Sequence, residues 1–262
     1  THTFYDNSTN DSKESYWDND NKDKFYDSSV FIPLFLENDL YTSLKLYPLY
    51  SPSNHKISLH IFDINGSIMG KKDNLKTIKK TDSDFIQINM KSIINNLNLD
   101  PNIAKGALLI KEWDEGYKIP NRLKYGLNIG LKNKEFDQPS NICFASHISN
   151  SKILNKRGTV KWFPLINTSH SVGIVENSSF IKNYSMPAKV SITFFNSYDD
   201  NLITRNFEIP PNGQVRLSFD NELNDFSNGS PIWAYVKSEN PFIKGWYFDL
   251  NDSGIVGGDH SF

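Results

Sequence analysis

The best case for chemistry in this chain rests on a few histidines and aspartates. Ser146-His147 and Asp259-His260 answer each other across an internal match described below. Neutral imidazole and carboxylate together form a ligand set for a divalent transition metal, so His147, Asp259 and His260 are candidate metal ligands. With a metal bound they would serve a carbohydrate-active enzyme. The competing reading is that each histidine caps its own strand, because duplication preserves structural positions as readily as functional ones. No other cofactor is expected. Asp199-Asp200, and Asp249 with Asp252, lie in turn-like sequence and fit loop tips better than an acid/base pair held across a cleft. The sequence has no P-loop, no GxGxxG after a strand, no HExxH, no GxSxG and no EF-hand loop, so it leans away from an enzyme.

Aromatic residues offer a second kind of site. Trp162, Trp233, Tyr235, Trp246 and Tyr247 are concentrated in the second half of the chain. Ala234 and Val236 alternate with Trp233 and Tyr235, so a strand that buries the small residues must turn some rings outward. Exposed rings can stack on sugars or anchor a protein partner, whereas a buried tryptophan needs only a partner for its N–H. Trp162, Trp246 and Tyr247 are candidate ligand contacts, with Arg122 and Tyr125 from Lys118-Ile-Pro-Asn-Arg-Leu-Lys-Tyr-Gly. The expected partner is a carbohydrate or a protein, with homo-oligomerisation as a further expectation.

The elements that must position these residues read as strands. Lys189-Val-Ser-Ile-Thr-Phe-Phe sends Val190, Ile192 and Phe194 one way and Ser191 and Thr193 the other. The same pattern occurs earlier as Lys56-Ile-Ser-Leu-His-Ile-Phe. Ile86, Ile88 and Met90 answer Val215, Leu217 and Phe219, while Ala107-Leu-Leu-Ile-Lys answers Trp233-Ala-Tyr-Val-Lys. Phe31-Ile-Pro-Leu answers Trp162-Phe-Pro-Leu. Five matches in unbroken order indicate duplication of a unit of roughly 100 residues, a size that suits one sandwich domain. The expected fold is all-β: two tandem duplicated antiparallel β-sandwiches of Ig or jelly-roll type. The domains are a polar acidic tail at 1–28, a first repeat at 29–150, a basic connector at 151–161 and a second repeat at 162–262. Helical spacing appears only near Met90 to Leu99 and Asp220 to Phe226, as one or two turns in each repeat. Residues 1–28 lack branched aliphatics and read as a segment unable to bury enough surface to offset its ordering entropy, though Phe25 and Tyr26 adjoin the first strand.

From Val172 to Trp246 the strand patterns resemble the small β-sandwich of the sensory rhodopsin transducer family. They comprise Val172 to Asn177, Ala188-Lys-Val-Ser-Ile-Thr, Pro210-Pro211, Phe219-Asp-Asn-Glu-Leu-Asn and Ala234-Tyr-Val-Lys-Ser-Glu-Asn-Pro-Phe-Ile. The resemblance covers under a third of the chain. It implies an oligomer-forming sandwich that acts by binding, with a jelly-roll likeness to sugar binders. The duplication and the acidic tail depart from that family, so a rhodopsin partner is not implied.

Bulk composition narrows the remaining classes. With 262 residues and 38% hydrophobic content the chain can build two cores, and a net charge of −2 provides no basic field for nucleic acid. No apolar run approaches the roughly 18 to 20 residues of a spanning helix. The single cysteine, Cys143, excludes an internal disulfide and is expected to be a small buried apolar residue. The expected location is the cytoplasm, because no signal peptide is visible, with allowance for an upstream segment since the chain begins without methionine. The expected function is therefore a non-enzymatic binding or assembly module. A metal-assisted carbohydrate-active enzyme is the alternative, and a surface-coat component a third reading.

Overall fold

The computed structural model describes residues 27–46, 54–79, 86–113, 124–131, 140–145, 147–148, 158–166, 170–179, 183–196, 202–250 and 256–262. The tail up to residue 26, most of the basic connector and Arg122 lie outside the described residues. The first sandwich comprises β1 (Asp27–Pro33), β2 (Leu40–Leu46), β3 (His55–Phe62), β4 (Ile68–Ile78), β5 (Ile86–Asn89), α1 (Met90–Asn96), β6 (Gly106–Trp113), β7 (Lys124–Leu131), β8 (Ser140–Ala145) and β9 (His147–Ile148). The second comprises β10 (Thr159–Leu165), β11 (Ser171–Asn177), β12 (Ala188–Asn196), β13 (Ile203–Ile209), β14 (Gln214–Ser218), α2 (Asn221–Ser227), β15 (Ile232–Ser238), β16 (Ile243–Leu250) and β17 (Val256–His260).

Each sandwich pairs two antiparallel sheets, and the strand order repeats. Sheet I runs β4-β3-β6-β1-β9, and sheet III runs β13-β12-β15-β10 in the corresponding direction. Sheet II, β5-β2-β7-β8, matches sheet IV, β14-β11-β16-β17. Among the described residues only β9 has no counterpart. The tandem sandwich architecture read from the sequence is therefore present, with one strand added at the edge of sheet I.

Period-two alternation builds both cores. Ile57, Leu59 and Ile61 of β3 point into the first core, as Val190, Ile192 and Phe194 of β12 point into the second. Each such side chain, once fully buried, contributes roughly 1.5–3 kcal/mol. In β15 burial alternates without a break, with Ile232, Ala234 and Val236 inside and Trp233, Tyr235 and Lys237 outside. The sequence match between β6 and β15 is offset by one residue from their match in the fold. In the first core it is Ala107 and Leu109 that point inward, so Ala107 corresponds to Ala234, one residue along from the alignment suggested by sequence. The two short helices start on side-chain caps: Asn89 accepts from the Ser92 amide and Asp220 from the Leu223 amide. They bury Met90 and Ile94 in the first core and Leu223 in the second. Cys143 is exposed rather than buried. Its neighbour Ile142 takes the inward position of β8, which leaves the cysteine on the other face.

The two sandwiches share a junction. Sheet IV is covered on both faces: Val175 joins its own core, while Ile174, Trp246, Phe248 and Val256 join the core of the first sandwich. Phe248 meets Phe35 edge-on with ring centroids 5.0 Å apart. At the sheet edge, Arg216 of β14 reaches into the first sandwich. It donates to the Leu34 carbonyl at 2.6 Å and to Glu37 Oε1 at 3.2 Å, and its guanidinium lies 4.7 Å from the Phe35 ring centre.

Candidate functional site

The outward face of sheet III carries the candidate site. Because Ala234 and Val236 fill the core, Trp233 and Tyr235 project to solvent at 43% and 37% exposure. Cross-strand register sets the neighbours: Trp233 lies opposite Pro164 on β10 and Phe195 on β12, and Tyr235 lies opposite Trp162 and Thr193. Trp162 and Trp233 meet at 5.4 Å between ring centroids and 60° between planes, and Phe195 and Tyr235 at 6.4 Å and 90°. Phe262 extends the row, 4.9 Å from Trp162, and the two residues exchange backbone hydrogen bonds. Aromatic side chains gathered on one exposed face are the composition of recognition surfaces.

The first sandwich holds the same positions in a covered state. By register, Phe31, Leu108 and His60 stand where sheet III has Trp162, Tyr235 and Thr193. Pro33, Gly106 and Phe62 stand where it has Pro164, Trp233 and Phe195. Phe31 is completely buried and Phe62 is 5% exposed. The corner ahead of β14 accounts for much of this cover. The Gln214 amide donates to the Ile64 carbonyl at 3.0 Å, and its side chain donates to the Lys105 carbonyl at 2.8 Å. Gly106 permits the close approach, since a Cβ there would collide with the Phe31 ring. Outward sheet faces corresponding by strand register are thus covered at Phe31 and Phe62 in one copy and open in the other.

The residues singled out from the sequence disperse. Trp162 lies on the open face. Tyr247 is half-buried against the second core, and burial pushes its phenol up, helped by Asp259. Trp246 and Tyr125 are 3% and 1% exposed, so neither offers a ring for a ligand to stack on. Their strands are covered on both faces, which period-two reasoning about a half-buried sheet does not anticipate. His147 lies on β9 at the edge of sheet I, whereas Asp259 and His260 lie on β17 in sheet IV, whose counterpart is β8. The match of Ser146-His147 with Asp259-His260 is therefore not a match of position in the fold. His260 sits beside Asp259, with Nε2 and Oδ1 3.8 Å apart, and its Nδ1 lies 3.1 Å from the Ser261 carbonyl. Among the described residues no group of three or more His, Cys, Asp or Glu side chains is arranged to hold a metal.

Of the aromatic row the candidate contacts include Trp162 alone; Trp233, Tyr235, Phe195 and Phe262 join it in the fold. Phe195 was legible, because it alternates with the inward Phe194. Phe262 was not, since only the folded chain brings the last residue to β10. A polar plug holds the loop ahead of β12. Tyr184 donates from its hydroxyl to Asn177 Oδ1 at 2.7 Å and accepts from Asn240 Nδ2 at 2.7 Å. Burial raises the Tyr184 pKa, and the two amides offset part of that rise.

Fold and surface together define a class: a twin antiparallel β-sandwich with one sheet face left open and lined with aromatic rings. No protein-family model matches the chain, and no curated protein matches it. Among the described residues, no helix is long and apolar enough to cross a membrane.

Proposed function

We propose that the chain is a non-enzymatic binding module that docks a protein partner on the outward face of sheet III. One observation carries this reading: the face that the first sandwich uses to pack against its neighbour is, in the second sandwich, uncovered and richer in aromatic rings. Several large rings held at their positions by a rigid sheet suit the anchor role that tryptophan and tyrosine play in interfaces. The steep angles between the rings favour an interlocking protein surface over a flat polysaccharide. The resemblance of the strand patterns to the sensory rhodopsin transducer family also favours binding over catalysis.

A photo-crosslinking amino acid placed at Tyr235, with a control at the exposed Ile103 of the first sandwich, tests the proposal in the protein's own cells. A discrete protein adduct at position 235 that is absent at 103 is expected. Equal labelling at both positions, or none at either, rejects the reading. Saturable quenching of tryptophan fluorescence by a glycan panel, lost in Trp162→Ala, would replace the protein partner with a carbohydrate.

A further inference from the structure

A cleft of about 570 Å³ lies where the second sandwich leans over sheet I. Its size falls in the roughly 300–1,000 Å³ range of small-molecule sites, and domain junctions are a favoured place for them. Phe62, Leu108 and Ile110 from sheet I form an apolar floor, with the Ser29 and Ser58 hydroxyls and the His60 imidazole among them. The opposite wall comes from the second sandwich and includes Ser179, Asn183, Tyr184 and Asn212.

The walls are built from special backbone. Asn74, Asn183 and Asn212 all line the cleft, and all three hold a positive φ, at 50°, 58° and 60°. Asparagine is one of the few non-glycine residues that adopt this conformation readily. Asn74 lies within a bulge of β4 where it pairs with β3, a device that redirects side chains. Its amide is held by Ser58 Oγ at 3.1 Å. The Asn212 side-chain oxygen is buried without a hydrogen-bond partner among the described residues, which leaves the amide nitrogen to meet a ligand.

Charge narrows the ligand class. Asp73 and Glu112 line the cleft against a single lysine, Lys71. Burial, reinforced by Lys71, holds the His60 pKa below its usual value and so keeps the imidazole neutral near pH 7. An anionic ligand would meet two carboxylates and one cation. A neutral polyol can lay its C–H face on Leu108 and Ile110 while its hydroxyls bond the amides, serines and carboxylates around it.

We infer that the inter-sandwich cleft is a binding site for a neutral sugar of one or two rings, separate from the aromatic face of sheet III. The ligand's hydroxyls meet Ser58, Asn183 and Asn212, and its apolar face rests on sheet I.

Isothermal titration and saturation-transfer NMR with glucose, galactose, mannose, maltose and lactose test this on the full chain. At least one sugar is expected to bind saturably at millimolar concentration or below. Asn183→Gly and Asn212→Gly remove an amide while leaving the positive φ easy to hold, so both variants should fold. Each should weaken binding about tenfold, as expected for one lost hydrogen bond. Trp233→Ala should leave affinity unchanged. Any of three results overturns the inference: no saturable binding by any of these sugars, tighter binding of inorganic phosphate or glucuronate than of the neutral sugars, or affinity lost in Trp233→Ala but kept in Asn212→Gly. The last would move the sugar to the aromatic face and so also count against the docking of a protein there, whereas the first two leave crosslinking at Tyr235 untouched.

Discussion

Replacing Arg216 with alanine should loosen the grip between the two sandwiches. The side chain is only 15% exposed and spans the junction. It makes charge-assisted bonds to the Leu34 carbonyl and Glu37, and it lies over Phe35. A hydrogen bond to a charged group is worth about 1.5–3 kcal/mol net, and the cation–π contact adds about 1 kcal/mol. Against that, removing the guanidinium recovers its own desolvation cost. Glu37 also keeps a second partner in Lys105 at 3.1 Å. The balance falls at the lower end of the ~3–5 kcal/mol seen when one member of a buried pair is deleted, so a loss of about 3 kcal/mol is expected.

With a urea m-value of about 3 kcal/mol/M, a loss of that size lowers the unfolding midpoint by about 1 M. Tryptophan fluorescence is the natural readout, because Trp246 is buried at the junction. The effect should also depend on pH. Burial alone would raise the Glu37 pKa, but Arg216, nearby backbone donors and Lys105 outweigh it and hold the carboxyl below its ordinary 4.5. A carboxylate depressed in the folded state stabilises fully above its unfolded pKa and loses that contribution as pH falls through the folded value. The gap between wild type and Arg216→Ala should therefore narrow in that acid window. A midpoint shift below about 0.3 M at pH 7, corresponding to about 1 kcal/mol, would refute the assignment of Arg216 as the junction's main polar tie.

Two further outcomes follow from the same junction and the sheet beside it. Gly106→Val should cost about 1–3 kcal/mol, because the added side chain must displace the Phe31 ring; a neutral result in thermal unfolding would mean that the close approach is dispensable. Glu176, which is fully buried, and Lys244, whose side chain is 20% exposed, form a pair 3.9 Å apart, and burial pushes the Glu176 carboxyl above its ordinary value. Its contribution is therefore most favourable below the unfolded pKa of 4.5 and declines as pH rises towards the folded value. Lys244→Met alone should accordingly destabilise more at pH 8 than at pH 5, whereas Glu176→Gln with Lys244→Met should return to within about 1 kcal/mol of wild type. A double variant no more stable than the single at pH 8 would show that the pair is not the source of the cost.

Legibility in the sequence followed solvent exposure. Lys189 to Phe195 and Ile232 to Ser238 each have one face in water, so polar and apolar residues alternate and the direction of each ring can be read directly. Gly106 to Lys111 has its inner face in its own core and its outer face beneath the second sandwich, where Leu108 and Ile110 are half-buried. Leu108, Leu109 and Ile110 therefore run together without alternation, and the sequence match slipped by one residue. The same cause hid the burial of Trp246 and Tyr125, whose sheets are enclosed on both sides. Histidine identity misled for a different reason: a two-residue likeness near the end of each half carries no information about which strand, or which sheet, will receive it.

Strand pattern, turn residues and repetition along the chain determined the fold class, the doubling of the sandwich and the outward pointing of Trp233 and Tyr235. These are consequences of local period and side-chain polarity. Tertiary structure alone decided which of the two corresponding faces is covered, that Arg216 ties the halves together and that three asparagines with positive φ converge on one cleft. Each of those outcomes depends on the placement of one sandwich against the other, through contacts between residues as much as 182 positions apart, and no local pattern encodes them.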